Sequence, residues 1–404
     1  MTDPDPPPSR TAALVLTTTD GDVLGSLPAL PVATPWWQDI APVVSAFRES
    51  HGFEAVILRL LEAERAAPPG GRVTYLAEVE GPVAGVEPWA SRIDDHPLRL
   101  AYARPGGPAA DLAWARGRLA EVGLEPAGSP VQVRTWNLSS IWRLPIPNGA
   151  VWLKVVPPFF AHEAKIIAHL AAWPVPRLLA RDGGRMLLAQ SPGEDLYGAE
   201  RQTQMRMIEV LVELQTAFLG QSDPLIALGL PDWRGPALMP RLANLADRRA
   251  AELDRGQQRR LAAFVRTLPQ RWSALTDCGP GDTLVHGDFH PGNFRGGNGS
   301  LTLHDWGDCG VGHPLLDQSA FLSAIPDQDR ALARAHWREV WDAAAHGTDF
   351  GRAGRVVEPL AAARRALVYQ DFLDAIEPSE HPYHDADPVF WLGCALDLAD
   401  DHDL

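Results

Sequence analysis

Cysteine is scarce. Cys278, Cys309 and Cys394 are the only three in 404 residues, they lie far apart, and none forms a CxxC pair. An odd, scattered set of thiols excludes a disulfide framework, and no clustered His/Cys spacing offers a zinc site. Positive charge is short too: 36 Lys and Arg stand against 51 Asp and Glu, a formal net charge of −15. Such a surface repels phosphate backbones and anionic headgroups, which argues against nucleic acid and membrane as partners and would suit a cationic one. No apolar run reaches the roughly 18 residues of a membrane span. Residues 1–8 hold acids and prolines where a signal peptide needs basic and apolar side chains, so a reducing cytoplasm is the expected location.

What remains is ordinary globular material, 46% hydrophobic and 22% charged, long enough for two or three domains and a large core. Prolines predict a disordered tail over residues 1–10. Apolar runs at 12–16 and 23–27 flank Asp20-Gly21-Asp22, a hairpin signal. Residues 38–61 look helical and then extended, with Gly52 as breaker, 72–79 look like a strand, and 112–122 like a helix. Together 11–122 are expected to form a small α/β domain, followed by a linker at 123–130, where Gly, Pro and Ser cluster. Strands are expected at 131–136, 141–146, 151–156, 177–180 and 185–189, with a helix at 161–171. The remainder is mainly helical: Met207, Leu211, Leu214 and Phe218 recur at spacings of four and three.

The strongest signal is Val285-His286-Gly287-Asp288-Phe289-His290-Pro291-Gly292-Asn293, followed by Leu301-Thr302-Leu303-His304-Asp305-Trp306-Gly307-Asp308. Phosphoryl transfer needs a carboxylate to orient a hydroxyl and accept its proton, and hard oxygen ligands for Mg²⁺. Asp288 suits the first task, Asn293 and Asp305 the second. The 12 residues from Asn293 to Asp305 fit a hairpin that brings both oxygens to one ion.

These two segments resemble the catalytic and magnesium motifs of the aminoglycoside phosphotransferases and their relatives, the choline, homoserine, fructosamine, methylthioribose and macrolide kinases. The resemblance covers 131 to the C-terminus. It implies an α+β, two-lobed protein-kinase-like fold, with a small β-rich N-lobe at 131–192 and a large helical C-lobe at 193–404, preceded by the small α/β domain. It also implies ATP or GTP with Mg²⁺, Asp288 as base, and Asn293 and Asp305 as metal ligands. Asp317, in Gly312-His313-Pro314-Leu315-Leu316-Asp317, would brace the catalytic loop. Such a small lobe needs a strand lysine for the phosphates and a helix glutamate to hold it. Lys154 and Glu163 fit, the latter beside the apolar stripe of Ile167 and Leu170. The turn over 137–144 looks like the family's phosphate loop, with Ser139 and Ser140 as contacts. Residues 186–194 resemble its adenine-binding hinge, with the Ala189 carbonyl and the Ser191 N–H as contacts.

The implied activity is a small-molecule kinase acting on a hydroxyl of an aminoglycoside-like antibiotic or related metabolite. Alternatives are a metabolic kinase of the choline, homoserine or fructosamine type and a catalytically silent nucleotide-binding module. A protein kinase is disfavoured, because the His-Arg-Asp loop, the GxGxxG turn and the Ala-Pro-Glu segment are missing. Residues 11–125 faintly resemble a degenerate Nudix domain, with only Glu49 of its metal-binding glutamates in register. Asp371, Asp374 and Glu377, with Asp397, Asp400, Asp401 and Asp403, either line a pocket for a cationic acceptor or form a solvated face. His384 and His402 are expected at the surface. The acceptor and the oligomeric state stay open at this level.

Overall fold

A computed structural model describes residues 7–297, 299–345 and 347–401. The apolar runs around Asp20-Gly21-Asp22 form the expected hairpin, β1 (Arg10–Thr17) antiparallel to β2 (Val23–Val32). After α1 (Ala41–His51), ended by Gly52 at a left-handed φ of 77°, β3 (Ala55–Ala63) and β4 (Gly71–Val79) complete a sheet ordered β2-β1-β4-β3. Trp37, Ile40, Val43 and Phe47 pack on one face of it. The expected tail ends earlier than residue 10, and residues 1–6 of it lie outside the described residues. Arg10 opens β1 and is 1% exposed. Its guanidinium donates to the Trp36 and Asp39 carbonyls at 2.6 and 2.8 Å. Those loop carbonyls need a donor, and the planar fork supplies two.

The next elements are α2 (Gly107–Glu121), β5 (Val131–Trp136), β6 (Ser139–Ile146), β7 (Gly149–Val155), β8 (Leu178–Asp182) and β9 (Arg185–Ala189). The strands form a wholly antiparallel sheet ordered β5-β6-β7-β9-β8. Ala115 and Leu119 of α2 share one core with Trp142, Val151, Leu153 and Leu187 of this sheet.

The chain divides into two units. The first comprises residues 1–161, 178–190 and 372–386, and so takes in both sides of the 123–130 segment. Within it, Gln132 joins the two sheets. Its amide accepts from the Ile57 N–H at 2.9 Å and donates to the Ile57 carbonyl at 2.7 Å, replacing one residue of a missing strand. The 372–386 segment is held by buried charge. Glu377 lies between Arg99 at 2.9 Å and Arg59 at 3.6 Å, and Glu380 accepts the Leu60 N–H at 2.7 Å. His384, expected at the surface, is 4% exposed. It lies 3.1 Å from the Asn137 amide oxygen and packs against Trp136 and Phe372, because the loop folds inward; His402 lies outside the described residues.

The second unit, 162–177, 191–371 and 387–404, is mainly helical. It holds α3 (Glu163–His169), the short β10 (Glu194–Asp195), α4 (Arg201–Ala217), α5 (Ser222–Ala227), α6 (Gly235–Arg249) and α7 (Arg255–Thr276). There follow β11 (Thr283–Val285), β12 (Phe294–Gly297), β13 (Ser300–Leu303) and β14 (Gly310–Gly312). Last come α8 (Gln318–Ala324), α9 (Asp327–Ala344), α10 (Phe350–Ala375), whose end from Phe372 belongs to the first unit, and α11 (Asp387–Asp401). The apolar spacing that marks α4 buries Met207, Leu211 and Leu214 to within 1%. No helix among the described residues is long and apolar enough to cross a membrane.

Gln132→Leu should destabilise the protein by roughly 2–5 kcal/mol, since it strands the buried Ile57 N–H and C=O together; thermal or denaturant unfolding measures it. Burial pushes the Glu380 carboxyl from its ordinary 4.5 up to about 8. The folded state therefore binds a proton more tightly than the unfolded one. That stabilising contribution is complete below about 4.5 and lost as pH rises through about 8. Glu380→Gln, which keeps an acceptor for Leu60, should match the wild-type Tm in acid and exceed it increasingly toward pH 8.

Candidate active site

β11 and β14 pair antiparallel, with Thr283, Leu284 and Val285 all fully buried. Their apolar run delivers His286 to the end of the strand, where regular pairing stops. Asp317 takes over the exposed backbone amides. Its two oxygens accept the His286 N–H at 2.9 Å and the Gly287 N–H at 2.7 Å, and the Gln215 amide donates to it at 2.9 Å. This is the bracing role that the motif implies. Burial pushes the Asp317 carboxyl up to about 6, against the pull of those donors. Gly287 has a φ of 88°, and a Cβ there would strike the Asp308 carbonyl, so only glycine fits. The His286 ring lies 2.9 Å from the His304 carbonyl, and burial lowers its pKa to about 4, leaving it neutral.

The chain then turns Asp288 into a nest of donors. Arg365 reaches Oδ1 at 3.2 Å, while Asn293 and His290 reach Oδ2 at 3.2 and 3.3 Å. His290 Nδ1 accepts the Gly292 N–H at 3.0 Å, which places the ring proton on Nε2, facing Asp288. Burial opposes the charge on Asp288, but His290 and Arg365 outweigh it and hold the carboxyl well below the usual range. Asp288 is thus an ionised, fixed acceptor at neutral pH.

Asn293 donates its amide to the Asp288 carbonyl at 2.8 Å as well as to the carboxylate. Its Oδ1 is the atom left over, and among the described residues no donor reaches it. β12 and β13 pair Phe294 with Leu303, and the His304 N–H donates to the Asn293 carbonyl at 2.8 Å. That register sets Asp305 next to Asn293, as the 12-residue interval requires. Asp305 is the one non-glycine residue with positive φ among those described, at 62°. Strain of this kind is sustained only where surrounding structure imposes it, and it clusters at functional sites. After Asp305, the Gly307 carbonyl lies 2.9 Å from His162 Nε2, the residue preceding Glu163 on α3. Burial raises the Cys309 thiol, and the charge of Glu163, 1% exposed, adds to the rise. So Glu163, Asp288, Asn293 and Asp305 all belong to the second unit. Asn293 and Asp305 offer one amide oxygen and one carboxylate. Mg²⁺ is commonly held by so few protein ligands, the rest being phosphate and water.

Lys154, Ser139, Ser140 and Ala189 belong to the first unit, and Ser191, 7% exposed, to the second. Lys154 sits on β7, half-buried. The turn between β5 and β6 is only Asn137 and Leu138, not 137–144. The two serines begin β6, 5% and 1% exposed. Ser139 accepts from the Trp136 indole at 3.2 Å, and Ser140 accepts from the Trp142 indole at 3.1 Å. Their hydroxyls serve the hairpin instead of facing outward. Of the acids considered for an acceptor pocket, Asp371 pairs with Arg241, Asp397 and Asp400 pair with Arg260, and Glu377 is buried in the first unit. Sequence inspection missed Arg364 and Arg365. Arg364 donates to the Gly287 carbonyl at 3.2 Å, and Arg365 stacks on Trp391 at 4.5 Å while holding Asp288. Their signal was two arginines inside the apolar run of α10. A second missed signal is that only Lys154 and Lys165, of 36 basic residues, are lysines.

The profile of a phosphotransferase enzyme family matches residues 128–355. Comparison with curated proteins gives no match. Among solved structures, the chain is similar to the macrolide 2′-phosphotransferase MphH apoenzyme from Brachybacterium faecium (17% identity, 68% of this chain, 97% of that one, TM-score 0.48). It is similar to a putative aminoglycoside phosphotransferase from Ralstonia eutropha (16%, 73% and 99%, TM-score 0.49). A GDP complex of a mutant aminoglycoside 2′-phosphotransferase-IIIa aligns at 15% identity over 72% of this chain and 96% of that one, at a TM-score of 0.50.

Asp317→Ala should leave the His286 and Gly287 amides unpaired, lowering stability by roughly 2–5 kcal/mol. Heat denaturation would register the loss, and Asp317→Asn, which keeps one acceptor, should lose less.

Proposed function

We propose, for a chain that belongs to the phosphotransferase enzyme family, that it transfers the γ-phosphoryl group of ATP or GTP to a hydroxyl of a small molecule. The observation that carries the proposal is the Asp288–Asn293 pair. One amide fixes the carboxylate through its nitrogen and keeps its oxygen for a cation, beside the strained Asp305.

In this scheme Asp288 orients the acceptor hydroxyl and takes its proton as the phosphoryl group moves in line. A carboxylate held ionised by Arg365 and His290 is a weak base. It suits a loose transition state, in which the proton leaves late and positioning does most of the work. Asn293 and Asp305 would hold the metal, which when bound neutralises charge on the phosphates. Lys154 would hold the donor phosphates, with Glu163 in the lysine-holding role that the family resemblance implies, and the Ala189 carbonyl and Ser191 N–H would hold the base. The buried hydroxyls of Ser139 and Ser140 are left out of the scheme. Because Asp371, Asp397 and Asp400 are neutralised by arginines, a polycationic acceptor has weaker support than the sequence offered. An alcohol of lower charge fits better.

Asp288→Asn should lower kcat by roughly 100- to 10,000-fold while nucleotide affinity stays within a few-fold. An assay of ADP or GDP release, run beside nucleotide titration, separates the two. An unchanged kcat would remove Asp288 from the reaction.

A further inference from the structure

Behind the catalytic loop, a cavity of about 440 Å³ opens between α8, α9 and α10. Its lining is unusual for a chain of net charge −15. Arg334 and Arg338 project from α9 and Arg355 from α10, against a single carboxylate, Glu358. Glu358 is engaged by Arg334 at 2.5 Å. Among the described residues Arg338 and Arg355 form no ion pair. Arg355 donates one N–H to the Gly351 carbonyl at 3.1 Å and keeps the rest of its fork.

The floor is Gln318, the first residue of α8, which is 7% exposed. It lines the cavity, and among the described residues its side-chain amide has no hydrogen-bond partner. Unlike the fully enclosed unpartnered groups of this chain, its amide stays accessible within the cavity and is open to a ligand. Two glycines, Gly351 and Gly354, stand on the α10 wall beside Phe350, Arg355 and Glu358. A Cβ at Gly354 would come to 3.6 Å from Gln318 Oε1, an ordinary contact, so Gly354 faces the amide across the cavity. Phe350, stacked on Trp341 at 5.1 Å, closes one end with an apolar surface.

We propose that this cavity binds a small phosphate monoester. Arg338 and Arg355 would take the phosphate oxygens, Gln318 would donate to the ester, and the organic body would lie along Ala331, Ala335 and Phe350. Guanidinium pairs are suited to phosphate because each presents two parallel donors. The volume exceeds that of bare phosphate and falls within the range of ordinary ligand pockets. Gln318 follows Asp317 directly, and Asp317 holds the His286 and Gly287 amides. A ligand gripping Gln318 therefore acts one peptide bond from the residue whose carboxylate braces the catalytic loop. The inference does not depend on which acceptor the enzyme uses, nor on Asp288 being its base.

The test is thermal unfolding and calorimetric titration of the full chain with glycerol phosphate and inorganic phosphate. Sodium chloride and sodium acetate at equal ionic strength are the controls. The expected result is a rise in Tm with both phosphates beyond that with either control. The rise should be abolished by Arg338→Gln with Arg355→Gln and weakened by Gln318→Leu, but kept by Lys154→Met. The exposed arginine pair should be replaceable without loss of folding, which the ligand-free Tm of the double variant checks. An equal rise with acetate, or no rise in the wild type, would overturn the proposal. So would a rise that survives the arginine double variant and vanishes in Lys154→Met, since it would place the phosphate elsewhere.

Discussion

One buried carboxylate governs the geometry of the second unit. Asp317 accepts the amides of His286 and Gly287, and so supplies the hydrogen bonds that a strand or helix would otherwise give them. Without it, a segment of Gly, Pro and His could not hold one backbone path in a buried setting. Gln215 anchors that carboxylate from α4, and Arg364 from α10 takes the Gly287 carbonyl. The orientation of Asp288 is therefore inherited from Asp317 and from two helices, α4 and α10, of which only α10 also reaches its carboxylate, through Arg365.

Electrostatics around the loop follow from crowding. Asp288, Asp305 and Asp308 lie near one another, with Arg364 and Arg365 as counter-charges. Burial and the two neighbouring carboxylates push Asp308 up to about 7. Asp288 moves the opposite way: burial opposes its charge, but an imidazole and a guanidinium on its oxygens outweigh it. Two carboxyls a few residues apart are thus pushed in opposite directions by their surroundings. Asp305, at a positive φ, is exposed at the end of the β12–β13 hairpin, where the register brings it beside Asn293.

In the first unit, segments outside the family match are tied in by buried polar contacts. Gln132 substitutes for a strand residue across Ile57, Arg10 satisfies loop carbonyls, and Glu377 and Glu380 tie the 372–386 segment to Arg59, Arg99 and Leu60. Each is a polar group whose burial would be costly without its partner. The partners lie up to 320 residues away in sequence.

Local pattern was enough to reveal the hairpins, a helix from the spacing of Met207, Leu211, Leu214 and Phe218 (observed at 201–217), the α+β class and the phosphotransferase motifs, because period, turn chemistry and the spacing of Asp288, Asn293 and Asp305 are all short-range properties. It also implied that Asp317 would serve the loop's backbone. It misjudged Arg10 and His384, whose burial depends on what covers them. It passed over Arg364, Arg365 and Gln318, since an arginine or glutamine on a helix looks solvated until a distant element closes over it. Residue type and spacing determined which groups could do chemistry here. Packing between segments far apart in the chain decided which of those groups were exposed, which were neutralised, and which were left facing a cavity.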